Sequence, residues 1–200
     1  VFGGNITGAG ALVKTGNDRI NITGVSTHNG TLTINQGGVH ANGALGRIAS
    51  PTIIVNGAGY LISNQDQGSS VTVDRFLNSV AITLNNTNTG STSTNQGLYH
   101  LTNQAAGRTE TIGSVTLGAG HNTITANGSV GSAVADLSGT TLTRTNRATV
   151  LVRGTSLGTS SATQRGQIRF STAPAGAVGG SGAAGSTNIN IYPWMVGDLT

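Results

Sequence analysis

Ser156 stands at the centre of GTSLG (residues 154–158), directly after the strand-like ATVLVR, the setting in which a nucleophilic serine sits on a tight turn between strand and helix. That chemistry needs an acid and then a histidine later in the chain. TSSATQRG is a poor helix and no histidine follows His121, so the segment reads as a Gly/Ser loop. GSGAAG (180–185) has the glycine spacing of a dinucleotide fingerprint, but it leads into the strand-like TNINI where a helix must receive the pyrophosphate, and it too reads as a loop. GAGHNTITANG (118–128) has the cast of a calcium-binding nonapeptide, yet it offers His121 and Asn122 where carboxylate oxygen is required.

Cleavage of a polysaccharide needs two carboxylates on one face, as an acid and base pair or as metal ligands. The acidic inventory is Asp18, Asp66, Asp74, Glu110, Asp136 and Asp198, scattered along the chain. The reading is therefore of no catalytic residue, no cofactor and no resident metal. His100 and His121 are one plausible coil apart and could stand side by side as a transition-metal pair, although stacking without metal is the simpler account. The same spacing relates Arg144 to Arg165 and Arg147 to Arg169, which would make a short basic stripe facing an anionic glycan or a partner chain, or simply a solvated face. Asn5, Asn21, Asn29, Asn85 and Asn127 begin glycosylation-type tripeptides, but asparagine in such a sequence more simply serves at corners with positive φ.

The elements that must carry these residues follow from composition. Charged residues make up 8% of the 200, against about a quarter in a typical soluble domain, while glycine fills 32 positions. Lys14 is the only lysine, and little is present from which to build a long helix. A formal charge of +4 is a weak field for nucleic acid, which is not expected as a partner. Cysteine is absent, so no disulfide framework or thiolate site exists. No apolar run approaches the ~20 residues of a membrane span, and no basic-then-apolar leader opens the chain, which reads as mature or as an interior fragment.

Strand signals recur throughout: RINIT (19–23), TLTI (31–34), TIIV (52–55), SVTV (70–73), SVAITL (79–84), SVTL (114–117), NTIT (122–125), TVLV (149–152), QIRF (167–170) and NINI (188–191). Their inward residues would be Ile20, Ile22, Leu32, Ile34, Ile53, Val55, Val71, Val73, Ile82, Leu84, Val115, Leu117, Ile124, Ile168, Phe170, Ile189 and Ile191. Sandwiches and barrels bury several large aromatics, but aromatic residues are only 4% here. Medium aliphatics suit the narrower lumen of a parallel β-helix with glycine and asparagine corners. At roughly 20 to 25 residues per turn this predicts about eight or nine turns and a rod roughly 40 Å long. The expected fold is all-β, one segment over residues 1–200, with loops 85–97 and 174–187 protruding.

The phrase GALVKTGNDRINITGVSTHNGTLTINQGGVHAN, followed by ALGRIASPTIIVNGAGYLISN, resembles the autotransporter-associated β-strand repeat of large bacterial surface and secreted proteins. The pattern falls on Leu12, Lys14, Gly16, Ile20, Ile22, Gly24, Gly30, Leu32, Ile34, Gly37 and Val39, and RTETIGSVTLGAGHNTITANGS and LTRTNRATVLVRGTSLG are similar to the segments downstream of such repeats. The resemblance implies a right-handed parallel β-helix serving as extracellular structure, often beside a membrane-inserted export barrel that this sequence lacks. The expected role is a non-catalytic component of an extracellular or cell-surface rod. A glycan-binding adhesin module and a polysaccharide-degrading β-helix enzyme are the alternatives. Pro193 and Trp194 would mark where the coil ends, since proline cannot donate into a ladder and a lone tryptophan suits an end-to-end interface with further coils or chains.

Overall fold

Runs that alternate apolar and polar residues between glycines become short strands, and the computed structural model shows how they stack. It describes residues 1–64, 74–86, 97–102, 107–128, 133–159, 163–180, 182 and 190–199. The strands are β1 (Leu12–Lys14), β2 (Arg19–Ile22), β3 (Leu32–Ile34), β4 (Gly38–Ala41), β5 (Thr52–Asn56), β6 (Tyr60–Asn64), β7 (Ala81–Asn86) and β8 (Gly97–Thr102). They continue as β9 (Arg108–Thr111), β10 (Ser114–Gly128), β11 (Val134–Arg144), β12 (Thr149–Gly154), β13 (Arg165–Thr172), β14 (Val178–Gly179), β15 (Asn190–Ile191) and β16 (Met195–Leu199). No helix occurs among the described residues.

Fourteen strands belong to one curled sheet in which neighbours pair in parallel. One ladder runs β1–β3–β5–β7–β10–β11 and another β2–β4–β6–β8–β10–β12–β16. Long strand β10 serves both, shifting register between Leu117 and Ala119, so the runs expected as two strands are one. A third face joins β9, β11 and β13 and is prolonged by bonds from Ser26 to Arg47 and from Ile48 to Arg75. The chain thus visits the same faces in rotation, a solenoid-like coil. Seven strands deep along β2 to β16, it extends about 30 Å.

The circuit is not constant. Leu12 lies beside Leu32, Leu32 beside Ile53, Ile53 beside Ile82, Ile82 beside Val115 and Val115 beside Leu142, steps of 20, 21, 29, 33 and 27 residues. Corners hold the stack through side chains. Asn56 Nδ2 donates to Asn35 Oδ1 (2.9 Å) and Asn85 Nδ2 to Asn56 Oδ1 (3.0 Å), an asparagine ladder across three coils. Lys14 Nζ donates to the carbonyls of Thr15 (2.7 Å), Gly16 (2.7 Å) and Gln36 (3.1 Å), so the conspicuous lysine closes a corner.

Inward rows build the core. Leu12, Leu32, Ile53, Ile82, Val115 and Leu142 align in one, and Ile34, Val55, Leu84 and Leu117 in the next, with Lys14 at its first position and Arg144 at its last. Ile22, Ile124 and the β3, β5, β7 and β10 residues of the expected set are buried, and Ile168 and Phe170 pack against them. Two inward assignments are overturned. Ile20 is exposed at the opening beside β1, and Ile191 lies in the antiparallel ribbon β14–β15, outside the coil. Val71, Val73, Ile189, the strand at 70–73, residues 87–96 of the first expected loop and 181 and 183–187 of the second lie outside the described residues. Phe76, Ile112, Leu98, Leu137, Val150 and Trp194 join the core without having been foreseen.

Candidate functional site: the Arg144–Trp194 cavity

Strand β11 ends at Arg144, an inward register position occupied in the coils before it by Leu117 and Leu84. The chain then turns sharply. Ala148 N donates to Thr145 O (2.9 Å), and the two residues between, Asn146 (φ 49°) and Arg147 (φ 55°), both adopt the left-handed conformation of a type I′ turn. Asparagine accepts that geometry readily, arginine does not. The turn presents Ala148 O to Arg144, whose Nε donates to it at 2.5 Å.

Trp194 completes the arrangement. Its carbonyl accepts Val150 N, and its ring is buried with the Arg144 guanidinium 5.8 Å from the ring centroid and Tyr192 tilted against it at 5.5 Å. A cavity of about 410 Å³ opens here between Arg144, Thr143, Gly176, Pro193 and Trp194. Arg144 and the Pro193–Trp194 pair, assigned on sequence to two different surfaces, therefore meet in one place. Trp194 does not mark the end of the coil: it belongs to the core, and β16 follows it as the last strand of the second ladder.

The basic stripe does not form. Arg144 aligns with Leu117, whereas Arg165 aligns with Val134 on the third face, because the circuit at this point is 27 to 31 residues and not 21. Arg147 sits on the turn, and Arg169 on β13 donates through Nε to Asp136 Oδ1 (3.0 Å) and through Nη2 to Oδ2. His100 and His121 are separated too. His100 stacks on Ala126, and exposed His121 contacts Thr149 Oγ1 through Nδ1 at 2.9 Å.

The carboxylates are less scattered than their numbering suggests. Asp74 and Asp136 line one open groove of about 450 Å³ with Arg108, Thr109 and Thr111. Asp136 is committed there to Arg169 and to Thr109 Oγ1 (3.3 Å). Asp66 lies outside the described residues, and Asp198 pairs with Arg153 at 3.1 Å.

A serine, a histidine and a glutamate meet in the interior, a cluster the sequence did not suggest. Ser63 Oγ is 2.9 Å from Glu110 Oε2 and 3.2 Å from His100 Nδ1, and His100 Nε2 is 3.2 Å from Arg108 O. Glu110 also accepts the backbone N–H groups of Arg75 and Phe76. All three side chains are at 0% exposure. Burial, together with nearby Arg75, outweighs the Arg108 carbonyl and Asp136 and lowers the His100 pKa to about 4. A hydrolytic reading needs a substrate within reach of Ser63, whose side chain has no exposed surface in this structure. Ser156, the serine expected on a sharp turn, does adopt φ 47°, but β13 follows it, and no histidine or carboxylate bonds its hydroxyl among the described residues.

Compared with known proteins, the chain matches no family model, no curated protein and no solved structure.

Proposed function

We propose that the chain is a non-catalytic segment of an extracellular or cell-surface rod, coiled as a right-handed parallel β-helix of the autotransporter-associated repeat type. The observation that carries this reading is the stack of parallel ladders, in which each strand pairs only with the coil before and the coil after. Such a molecule spans distance, and its length can change without disturbing any single site. A surface supplied by Asn, Thr, Ser and Gln instead of charge, as in the Asn35–Asn56–Asn85 ladder, suits a long scaffold outside the cell. An apolar opening of about 310 Å³ beside β1 and β2, lined by Phe2, Leu12, Ile20 and Leu32, supports continuation into further coils, of the same chain or of another.

The test is coil duplication. Leu32 and Ile53 occupy equivalent positions, so inserting three further copies of residues 32–52 adds three circuits in register. The expected product is a folded, monodisperse particle whose maximum dimension in small-angle scattering grows by about 14 Å, three strand spacings. Aggregation, or growth in girth instead of length, would refute the scaffold reading.

A further inference from the structure

We infer that the Arg144–Trp194 cavity binds an acidic sugar residue, a carboxylate-bearing saccharide held by the Arg144 guanidinium. This goes beyond the scaffold role and does not depend on it.

Position is the first ground. Arg144 takes the last place of a row that reads Ile34, Val55, Leu84, Leu117, where an apolar side chain would extend the core. Lys14, at the other end of that row, has its ammonium occupied by three carbonyls. Arg144 spends only its Nε, on Ala148 O. Arg144 is exposed at the mouth, and that bond and the indole ring orient its planar group, which leaves the two Nη nitrogens open to a carboxylate in two parallel bonds. A guanidinium so held loses little conformational freedom when it binds.

The lining is the second. Leu142, Pro193 and the Trp194 edge supply apolar surface, while Thr143 and the Gly176 backbone supply polar groups. A pyranose has the same division, with C–H faces and a hydroxyl rim, and the volume of about 410 Å³ lies within the range of small-ligand sites. The adjoining turn is the third. Arg147, three residues on from Arg144, is exposed in a left-handed conformation that favours glycine or asparagine, the kind of local strain that gathers at functional positions.

Trp194 is the only tryptophan, so tryptophan emission, excited at the red edge where tyrosine does not absorb, reports on this cavity alone. Galacturonate and oligogalacturonates, titrated into the full chain, are expected to change its emission saturably, while galactose and sodium acetate at the same concentrations do not. Arg144→Gln is expected to weaken the response roughly tenfold or more, the loss of one charge-assisted pair, with Arg169→Gln unchanged because Arg169 lies on the third face. An equal response to galactose, an equal response to acetate, no response to any of them, or an undiminished response in R144Q would each overturn the inference. Should R144Q fail to fold by circular dichroism, the wild type decides through salt: galacturonate affinity that does not fall with ionic strength overturns it as well. A chain that lengthens on coil duplication yet ignores galacturonate is a scaffold without this site.

Discussion

His100 and His40 are both buried histidines, and acidification between pH 6.5 and 5 acts on them selectively. Burial, then Arg19 and Arg75, lowers the His40 pKa to about 4, as burial does for His100. In the unfolded chain both return to about 6.5. Below that value the unfolded state takes up protons that the native state refuses, so stability falls as pH drops and continues to fall until the folded pKa near 4 is reached. Each histidine costs about 1.4 kcal/mol per pH unit across the window, or about 2 kcal/mol by pH 5. Urea unfolding at pH 7.5, 6.5, 5.5 and 5.0 is the assay. The slope below pH 6.5 should drop to about half in His100→Asn, which cannot take the proton, whatever that variant costs at neutral pH. An unfolding midpoint flat from pH 6.5 to 5, or a wild-type slope in H100N, would refute the placement of His100 as a buried neutral imidazole.

Three other substitutions probe the corners and turns. Lys14→Met leaves the carbonyls of Thr15, Gly16 and Gln36 without their donor and should lower urea stability by about 2 kcal/mol. At Gly46 a Cβ would overlap the Asn42 and Ile22 carbonyl oxygens, and its own carbonyl accepts Arg75 Nη1 at 2.8 Å. Gly46→Ala should therefore cost about 2 kcal/mol in the same assay, against no measurable loss for Gly10→Ala, whose Cβ meets nothing. Arg147→Gly removes an L-residue from φ 55° and should raise stability by ~0.5 kcal/mol after the entropy that glycine restores to the unfolded chain, read as a higher thermal midpoint.

Local pattern in this sequence reports strands wherever both inward positions of a run are apolar. That holds for β2, β3, β5, β7 and β12, and it fails for β4, β6, β8 and β9, read as GVHA, YLISN, GLYHLT and RTET. In β6, β8 and β9 an inward place is taken by Ser63, His100 or Glu110, polar residues that are tolerable only because the neighbouring coil supplies the partner, and in β4 one inward place falls to the small Ala41, a weak strand former. His28 shows the same dependence, with Ser50 Oγ at 2.9 Å from Nδ1 and Gly10 O at 2.6 Å from Nε2. No run of adjacent residues contains that information. The missed meeting of Arg144 with Trp194 has a related cause. A fixed circuit of 21 residues pairs Arg144 with Arg165, whereas the coils lengthen toward the C-terminal half, and register over such distances is set by the residues that fill the loops.

Access, not composition, separates the two polar sites of the coil. Ser63, His100 and Glu110 have the residue types of a hydrolytic triad, but the cluster ties β6 and β8 to the third face through the Arg75 and Phe76 amides, and its three side chains are fully buried. Its bonds explain its presence without any chemistry: a buried serine and a buried glutamate would each be costly alone, and together they satisfy one another. Arg75 extends the same strut to the Gly43 and Gly46 carbonyls, so one polar chain fastens successive coils where apolar packing alone would let them slide. Arg144 also occupies an inward row, but at a mouth lined by Thr143 and Pro193, with nitrogens to spare. Among the described residues nothing takes the two Nη nitrogens of Arg144, and at an open mouth beside an aromatic ring they are what a ligand has left to bind.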